Sequence, residues 1–475
     1  MFWKMKGIDE KRVAAIDNTD LITYGDVKRH IEEIQSITAE RNVVLILSDN
    51  SVGSYLGYIC FLYMNCAVIL LENTVKEEFC KAMIEKYRPK FIWAQEKWRK
   101  LLDFPDLYKK YGFYLLSTGH ETYTLNEKVG VILSTSGSTG NVKCVQLGYE
   151  GIQEHAKALG EVLEFTENDS IITTMPMAFV YTLSFINICI SKGATVLLTN
   201  SNIMEKDFWS LFHKYHPTCI SGLTVHYEML SVMKLFEKNC QHLRILTQGG
   251  DVFGEKMRVK VTEYCRKYHK KGYILYGQTE TSGTCGALSF FEDKETNCIG
   301  KAISSGSFEI ENIECGQGEL IYNGKCAMLG YATGDLDLTE LPNVYGRVET
   351  GDIVRRDTDG CYYIVGRKKR FIKLYGKRVN LDDIENYVKK QFGVQECVCV
   401  GEKEKVWVIL TEQQHSDAVL KEGIKNFLGI SDTMIRIEYV DSMIKNESGK
   451  ISYFKLEEMV RKMNEKKLNE VGRIR

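Results

Sequence analysis

The chain has 475 residues, of which 44% are hydrophobic and 26% charged, so it can bury a sizeable core and is too long for one ordinary domain. That composition excludes a mainly disordered, collagen-like or short disulfide-scaffold protein. Lys and Arg number 62 against 63 Asp and Glu, and the formal charge of −1 gives no global field for nucleic acid or an anionic membrane surface.

In chain order, the opening "MFWKMKGIDEKRV" lacks an apolar core of signal-peptide length, so a cytoplasmic protein is expected. The 15 cysteines are scattered without a CxxC pair, mostly in apolar runs, which fits reduced buried thiols. Gly53 to Leu71 is nineteen residues without a charge, but Asn65 and two glycines interrupt it and "AVILL" before Glu72 reads as a strand; the expectation is a buried helix and strand with no membrane span. Strand-like runs at 42–48, 67–71, 90–94, 194–199, 217–222 and 243–250 alternate with helical segments such as 25–39 and 204–215, the pattern of helix-covered parallel sheets. From about residue 300 the texture changes to short strands with turns, including a hairpin around Asp359 and Gly360, which predicts a small β-rich subdomain. Beyond 368 a further mixed unit holds a helix near 381–392, two strands and a polar helical tail from about 454. Cys397 and Cys399 share a face of one of those strands, with no further pair to complete a zinc set.

The sharpest chemical feature is "LSTSGSTGNVKCV" at 133–145, following the apolar "VGVIL". Gly137 and Gly140 let backbone N–H groups approach an anion, the hydroxyls of Thr135, Ser136, Ser138 and Thr139 donate, and Lys143 adds charge, so the segment can wrap phosphate oxygens. The two glycines lie too close together for a GxxxxGK[ST] loop, and a flexible surface loop is the alternative for this segment by itself. Further along stand "TQGGD" at 247–251, "YGQTE" at 276–280, "GELIYNG" to "GY" at 318–331, "ETGD" at 349–352, "GRKKRFIKLYGKRVNLDDIE" at 366–385 and "SGK" at 448–450. The stretch Arg367 to Arg378 carries seven basic residues and no acid, by composition a solvated face.

These motifs, in this order and approximate spacing over residues 130–450, resemble the AMP-forming adenylating enzymes, a family that includes acyl-CoA synthetases, luciferases and peptide-synthetase adenylation domains. The resemblance implies an α/β fold: an N-terminal adenylate-forming domain over 1–368, with the β-rich part at about 300–368, hinged at Lys369 to a small mobile α+β domain over 369–475. It implies ATP bound by Thr135, Ser136, Gly137, Ser138, Thr139, Gly140 and Lys143. Gly249, Gly250 and Gly277 provide flat backbone, Tyr276 packs on adenine, and Asp352 and Arg367 hold the ribose. Glu280 is similar to the family's magnesium ligand and Thr279 to its phosphate-contacting hydroxyl; Mg²⁺ offsets the repulsion between a carboxylate and the α-phosphate. Lys450 resembles the lysine that contacts carboxylate and α-phosphate during adenylation, although Ser452 and Tyr453 follow it where the family often has an Asp-Arg pair. Lys373 and Gly376 match the loop that enters the site for thioester formation, so the acceptor is CoA or the phosphopantetheine of a separate acyl or peptidyl carrier protein, with no nucleic acid partner.

The segment equivalent to the family's acyl pocket, 173–187, offers Phe179, Val180 and Tyr181 and no acid before Glu205, so it favours an uncharged acyl or aryl tail over an α-amino acid, whose ammonium would lack a counter-charge. Val225 and His226 line the second wall, His226 as a wall residue rather than a base. The expected reaction is activation of a small carboxylic acid as acyl-AMP, with pyrophosphate release, followed by transfer to the thiol. An amino-acid or D-alanine ligase for a carrier protein is the alternative within the fold, and an inactive nucleotide-binding partner protein the alternative outside it.

Overall fold

The computed structural model describes residues 1–475 apart from 39, 135–143, 315, 341–345, 368–370, 375–376, 445–452 and 473–475; of Arg367 it describes the backbone. The chain divides into two compact units, one ending at Gly366 and one beginning at Arg367. Each is considered by itself.

Among the described residues, the first unit carries a thirteen-stranded and an eight-stranded sheet. In the larger sheet Val13–Ile16, Thr195–Leu197, Ser170–Ile172, Cys219–Gly222, Ile245–Gly249 and Lys271–Gln278 lie side by side in parallel. The sheet then turns antiparallel through Gly283–Ser289, Cys298–Ala302, Tyr362–Arg367, Arg347–Arg356, Gln317–Gly324 and Gly306–Glu314. The short strands after residue 297 therefore extend the large sheet, joined to it where Gly286 faces Ala302. In the second sheet Val129–Ser134, Ala67–Glu72, Val43–Ser48 and Phe91–Gln95 are parallel, flanked by antiparallel strands that include Cys144–Gly148 and Gly330–Ala332.

The apolar core explains this layering. Residues from both sheets, such as Val44, Val68 and Val131 on one and Ile171, Val196 and Ile245 on the other, share one buried cluster with helices Tyr24–Ile37, Val52–Tyr63, Tyr149–Val162 and Val180–Lys192. Separate clusters cover the outer faces. Parallel strands buried on both faces must be apolar almost without interruption, which is why "VVLILS" and "AVILL" do not alternate. The uncharged run from Gly53 is resolved the same way. Helix Val52–Tyr63 begins at Ser51, whose Oγ accepts from the Ser54 N–H at 3.3 Å, and Val52 through Leu62 are all buried. Trp93 Nε1 donates to its Gly53 carbonyl at 2.8 Å. No helix among the described residues is long and apolar enough to cross a membrane.

The second unit pairs Phe371–Leu374 with Lys377–Asn380, and builds a sheet from Cys397–Glu402, Lys405–Leu410 and Ile435–Tyr439. Helices Leu381–Phe392 and Asp417–Leu428 pack with one face of that sheet. Cys397 and Cys399 face that cluster together, while Val398 and Val400 face another with Leu456 and Val460 of the tail helix. Every described cysteine is a free thiol, and all but Cys240 are buried.

Candidate functional site

The geometry concentrates at the carboxyl ends of the parallel strands, where an open α/β sheet places ligands. Register pairs Gly249 with Leu275, so Tyr276, Gly277 and Gln278 run beyond the neighbouring parallel strand and pair only with Gly283–Ser289, across a bulge between Tyr276 and Gly277. The crossing is close enough to require glycine at 277, where an added Cβ would stand 1.9 Å from the Gly283 carbonyl oxygen. The chain then makes a single 3₁₀ turn, Thr279–Thr281. The Thr281 hydroxyl closes it, donating to the Gly283 carbonyl at 2.7 Å and accepting from the Gln278 N–H at 3.2 Å.

The strand end and this turn place Tyr276 and Glu280. The Tyr276 hydroxyl donates to Asp352 Oδ2 at 2.6 Å, joining strands 76 positions apart. Asp352 is 2% exposed, and its N–H donates to Thr350 Oγ1 at 3.1 Å. Burial, and then the Asp352 charge, hold the Tyr276 phenol protonated by raising its pKa well above the usual value. Its ring meets Phe308 edge-on at 6.2 Å, which fixes the plane of the ring. The expected adenine face and the expected ribose carboxylate are thus brought into contact.

Glu280, 6% exposed, lies against the second sheet. Its Oε1 accepts from the Tyr331 hydroxyl at 3.0 Å, and its carbonyl accepts from the Met328 N–H at 2.8 Å. Its Oε2 is buried with no hydrogen-bond partner among the described residues. A buried anionic oxygen without a partner is costly. It is also the hard donor that Mg²⁺ takes, so the residue fits a divalent cation.

The residues expected to line the acyl pocket lie beside one of these strand ends. Tyr181, in the first turn of helix Val180–Lys192, covers Gly249: a Cβ there would lie 2.8 Å from Tyr181 Cε2. Its hydroxyl hydrogen-bonds Thr247 Oγ1 at 3.1 Å, and its edge meets Phe185. Phe179 and Val180 are half-buried at the start of this helix. Val225 and His226 begin helix Thr224–Val232. His226 Nδ1 accepts from the Leu223 N–H at 3.1 Å, and burial lowers its pKa to about 4, so it is a neutral helix cap rather than a poised base. The loop after Gly250, whose φ is +87°, returns Asp251 to the same helix, where Oδ1 accepts from the Thr224 N–H at 3.1 Å and from Gln248 Nε2 at 2.6 Å.

Sequence reasoning missed Tyr331, Gln248, Asp251 and Gln278. All four lie in or beside the quoted motifs. Gln248 is fully buried with its Oε1 unpartnered among the described residues, and Gln278 Nε2 is likewise buried and unpartnered. Lys373 is half-buried in the first strand of the second unit, opposite Arg378. Thr135, Ser136, Gly137, Ser138, Thr139, Gly140 and Lys143, with Lys369, Gly376 and Lys450, lie outside the described residues, as does the side chain of Arg367. No group of three or more metal-ligating side chains of the His, Cys, Asp and Glu types occurs among the described residues.

The end of strand Lys271–Gln278 thus brings together half-buried Tyr276, buried Asp352 and buried Glu280. Residues 8–332 match the family model of AMP-binding enzymes, and the chain belongs to that family. Among curated relatives, 2-succinylbenzoate–CoA ligase of Lactococcus lactis is 26% identical over 92% of this chain and 94% of its own length. D-alanine–D-alanyl carrier protein ligase of Staphylococcus epidermidis is 22% identical over 94% and 96%. In structure, o-succinylbenzoate CoA synthetase from Bacillus subtilis, bound with a product analogue, superposes with a TM-score of 0.75 at 18% identity, covering 96% of this chain and 97% of that one. The α/β fold is that of the adenylating enzymes, and the chain is an AMP-forming ligase, activating a carboxylic acid as its adenylate and passing the acyl group to a thiol.

Proposed function

We propose that the enzyme activates a small carboxylic acid with an uncharged tail and transfers it to CoA or to the phosphopantetheine of a separate carrier protein. The first unit forms the adenylate, and the second, hinged at Lys369, moves between the two half-reactions. The observation that carries the site assignment is the convergence at one strand end of Tyr276 bonded to Asp352 and Glu280 with one oxygen unpartnered among the described residues.

In this reading Tyr276 offers its ring to adenine while Asp352 accepts from the ribose, and Arg367 gives a second ribose contact. Hydroxyls and N–H groups of 135–140, with Lys143, receive the phosphates, and Thr279 donates to the phosphate that Glu280 faces. Mg²⁺ held by Glu280 would supply charge neutralisation at the phosphates. Lys450 offsets the charge that builds at phosphorus as the carboxylate attacks and pyrophosphate leaves. Gly249 and Gly250 let the acyl group lie flat, Tyr181 bounds its pocket, and the Lys373–Gly376 segment leads the thiol in. The lack of an acid between Phe179 and Glu205 disfavours the amino-acid reading, because a substrate ammonium would find no counter-charge in that segment.

Pyrophosphate release across an acid library, repeated with CoA and with carrier protein, tests the reading. Acid-dependent release is expected from aliphatic or aromatic acids and not from amino acids, and is expected to fall by 10²-fold or more in Lys450→Ala and Glu280→Gln. Normal acid-dependent exchange in Lys450→Ala would refute the roles assigned. Tight ATP binding without release under any acid would favour an inactive nucleotide-binding protein.

A further inference from the structure

We infer that Tyr331 is a positioning residue for the cation site: its hydroxyl holds one oxygen of the Glu280 carboxylate and so keeps the other, Oε2, as the oxygen offered to a divalent ion that accompanies ATP. This inference rests on the reading that Glu280 takes Mg²⁺.

The tyrosine comes from a segment that ties the turn bearing Glu280 to the strand following residues 135–143. Strand Gly330–Ala332 pairs antiparallel with Cys144–Gly148, and Tyr331 stands opposite Val145. The backbone on either side of the tyrosine is fastened to three other segments. The Met328 N–H donates to the Glu280 carbonyl at 2.8 Å, and the Leu329 N–H to the Gln146 carbonyl at 2.8 Å. The Tyr87 hydroxyl donates to the Ala332 carbonyl at 2.8 Å, and Gln146 Nε2 to the carbonyl of Tyr331 itself at 3.3 Å. A strand held in this way delivers the phenol to a set place, since a tyrosine ring has only two side-chain torsions left to fix.

The bond that results decides how the carboxylate stands. A glutamate with no partner turns its carboxyl group broadly about the last torsion and presents either oxygen. Here Oε1 accepts from the Tyr331 hydroxyl at 3.0 Å, while Oε2 is buried with no partner among the described residues. A hydrogen bond to an ionised carboxylate is stronger than one between neutral groups, and groups that hydrogen-bond a ligating carboxylate orient it for the metal. Without the hydroxyl, cation binding would have to order the carboxylate as well. Tyr331 is 37% exposed, so removing its hydroxyl leaves no buried gap.

ATP binding by calorimetry, with Mg²⁺ and with a chelator and without any acid, tests this in wild type, Tyr331→Phe, Tyr331→Met and Glu280→Gln. Wild type is expected to bind ATP more tightly with Mg²⁺. In Tyr331→Phe and Tyr331→Met that Mg²⁺-dependent gain is expected to fall by roughly 10-fold, with affinity in chelator unchanged. The full gain in Tyr331→Phe, together with its loss in Glu280→Gln, overturns this inference and leaves Glu280 as the cation ligand. Equal weakening with and without Mg²⁺ also overturns it, because a merely structural tyrosine would act on both. If Tyr331→Phe does not fold, Tyr331→Met decides by the same comparison. No gain in wild type, or a full gain in Glu280→Gln, removes the reading of Glu280 and this inference with it.

Discussion

His155 makes the first unit sensitive to acid by an amount that follows from its burial. It stands on helix Tyr149–Val162, is 1% exposed, is held to the backbone of Thr284, and has its Nε2 unpartnered among the described residues beside Gly283. Burial lowers its pKa from 6.5 to about 4, so the folded protein refuses a proton that the unfolded chain accepts. The neutral ring contributes no penalty above pH 6.5, and stability is lost as pH falls between 6.5 and 4, because there the unfolded state holds more protons. The linkage relation gives a loss of about 2 kcal/mol by pH 5 and about 3 kcal/mol below pH 4. Urea unfolding followed by tryptophan fluorescence at pH 7.5 and pH 5.0 would measure it. His155→Gln cannot take up the proton, so although it is less stable than wild type at pH 7.5 it is expected to lose about 2 kcal/mol less on going to pH 5. Equal losses in the two proteins would show that His155 is hydrated or already paired in the folded state, and the burial argument would fail. His226, lowered to about 4 by the same cause, contributes to both proteins alike.

Two further substitutions probe the strand crossing and the tyrosine–carboxylate pair. Gly277→Ala puts a methyl 1.9 Å from the Gly283 carbonyl, where backbone must move, and is expected to destabilise the first unit by about 3 kcal/mol and raise the KM for ATP; a normal unfolding midpoint would refute the close crossing. Tyr276→Phe removes the donor at 2.6 Å from a nearly inaccessible carboxylate and is expected to cost about 2 kcal/mol in stability at pH 7.5, with the ring's packing on Phe308 retained; a change below about 0.5 kcal/mol in denaturant titration would refute a stabilising role for this bond.

Much of the fold was legible in local pattern. The runs at 42–48 and 67–71 are strands Val43–Ser48 and Ala67–Glu72 because residues buried on both sheet faces leave a continuous apolar signature. The uncharged stretch from Gly53 reads as helix then strand because Asn65 and two glycines interrupt it and "AVILL" runs up to Glu72, whereas its burial between two sheets could be learned only from the assembled layers. The site was legible as motifs and illegible as contacts. "YGQTE" and "ETGD" could each be quoted, but the bond from Tyr276 to Asp352 depends on how the large sheet turns antiparallel beyond Lys271–Gln278. Tyr331 was part of a quoted motif with no role, because its partner Glu280 belongs to another segment brought near only by packing of the two sheets.

What the amino-acid order determined by itself was chemistry of short range: which segments are apolar enough to be strands, where glycine lets backbone approach an anion, and that the Phe179 region holds no acid. Tertiary structure alone decided which polar atoms are satisfied. Glu280 stands in a quoted motif, but only the packing of its turn against the second sheet leaves its Oε2 buried without a partner among the described residues. The physical reason is that hydrogen-bond satisfaction is a property of everything within about 3 Å of an atom, and here those neighbours come from segments far apart in the chain.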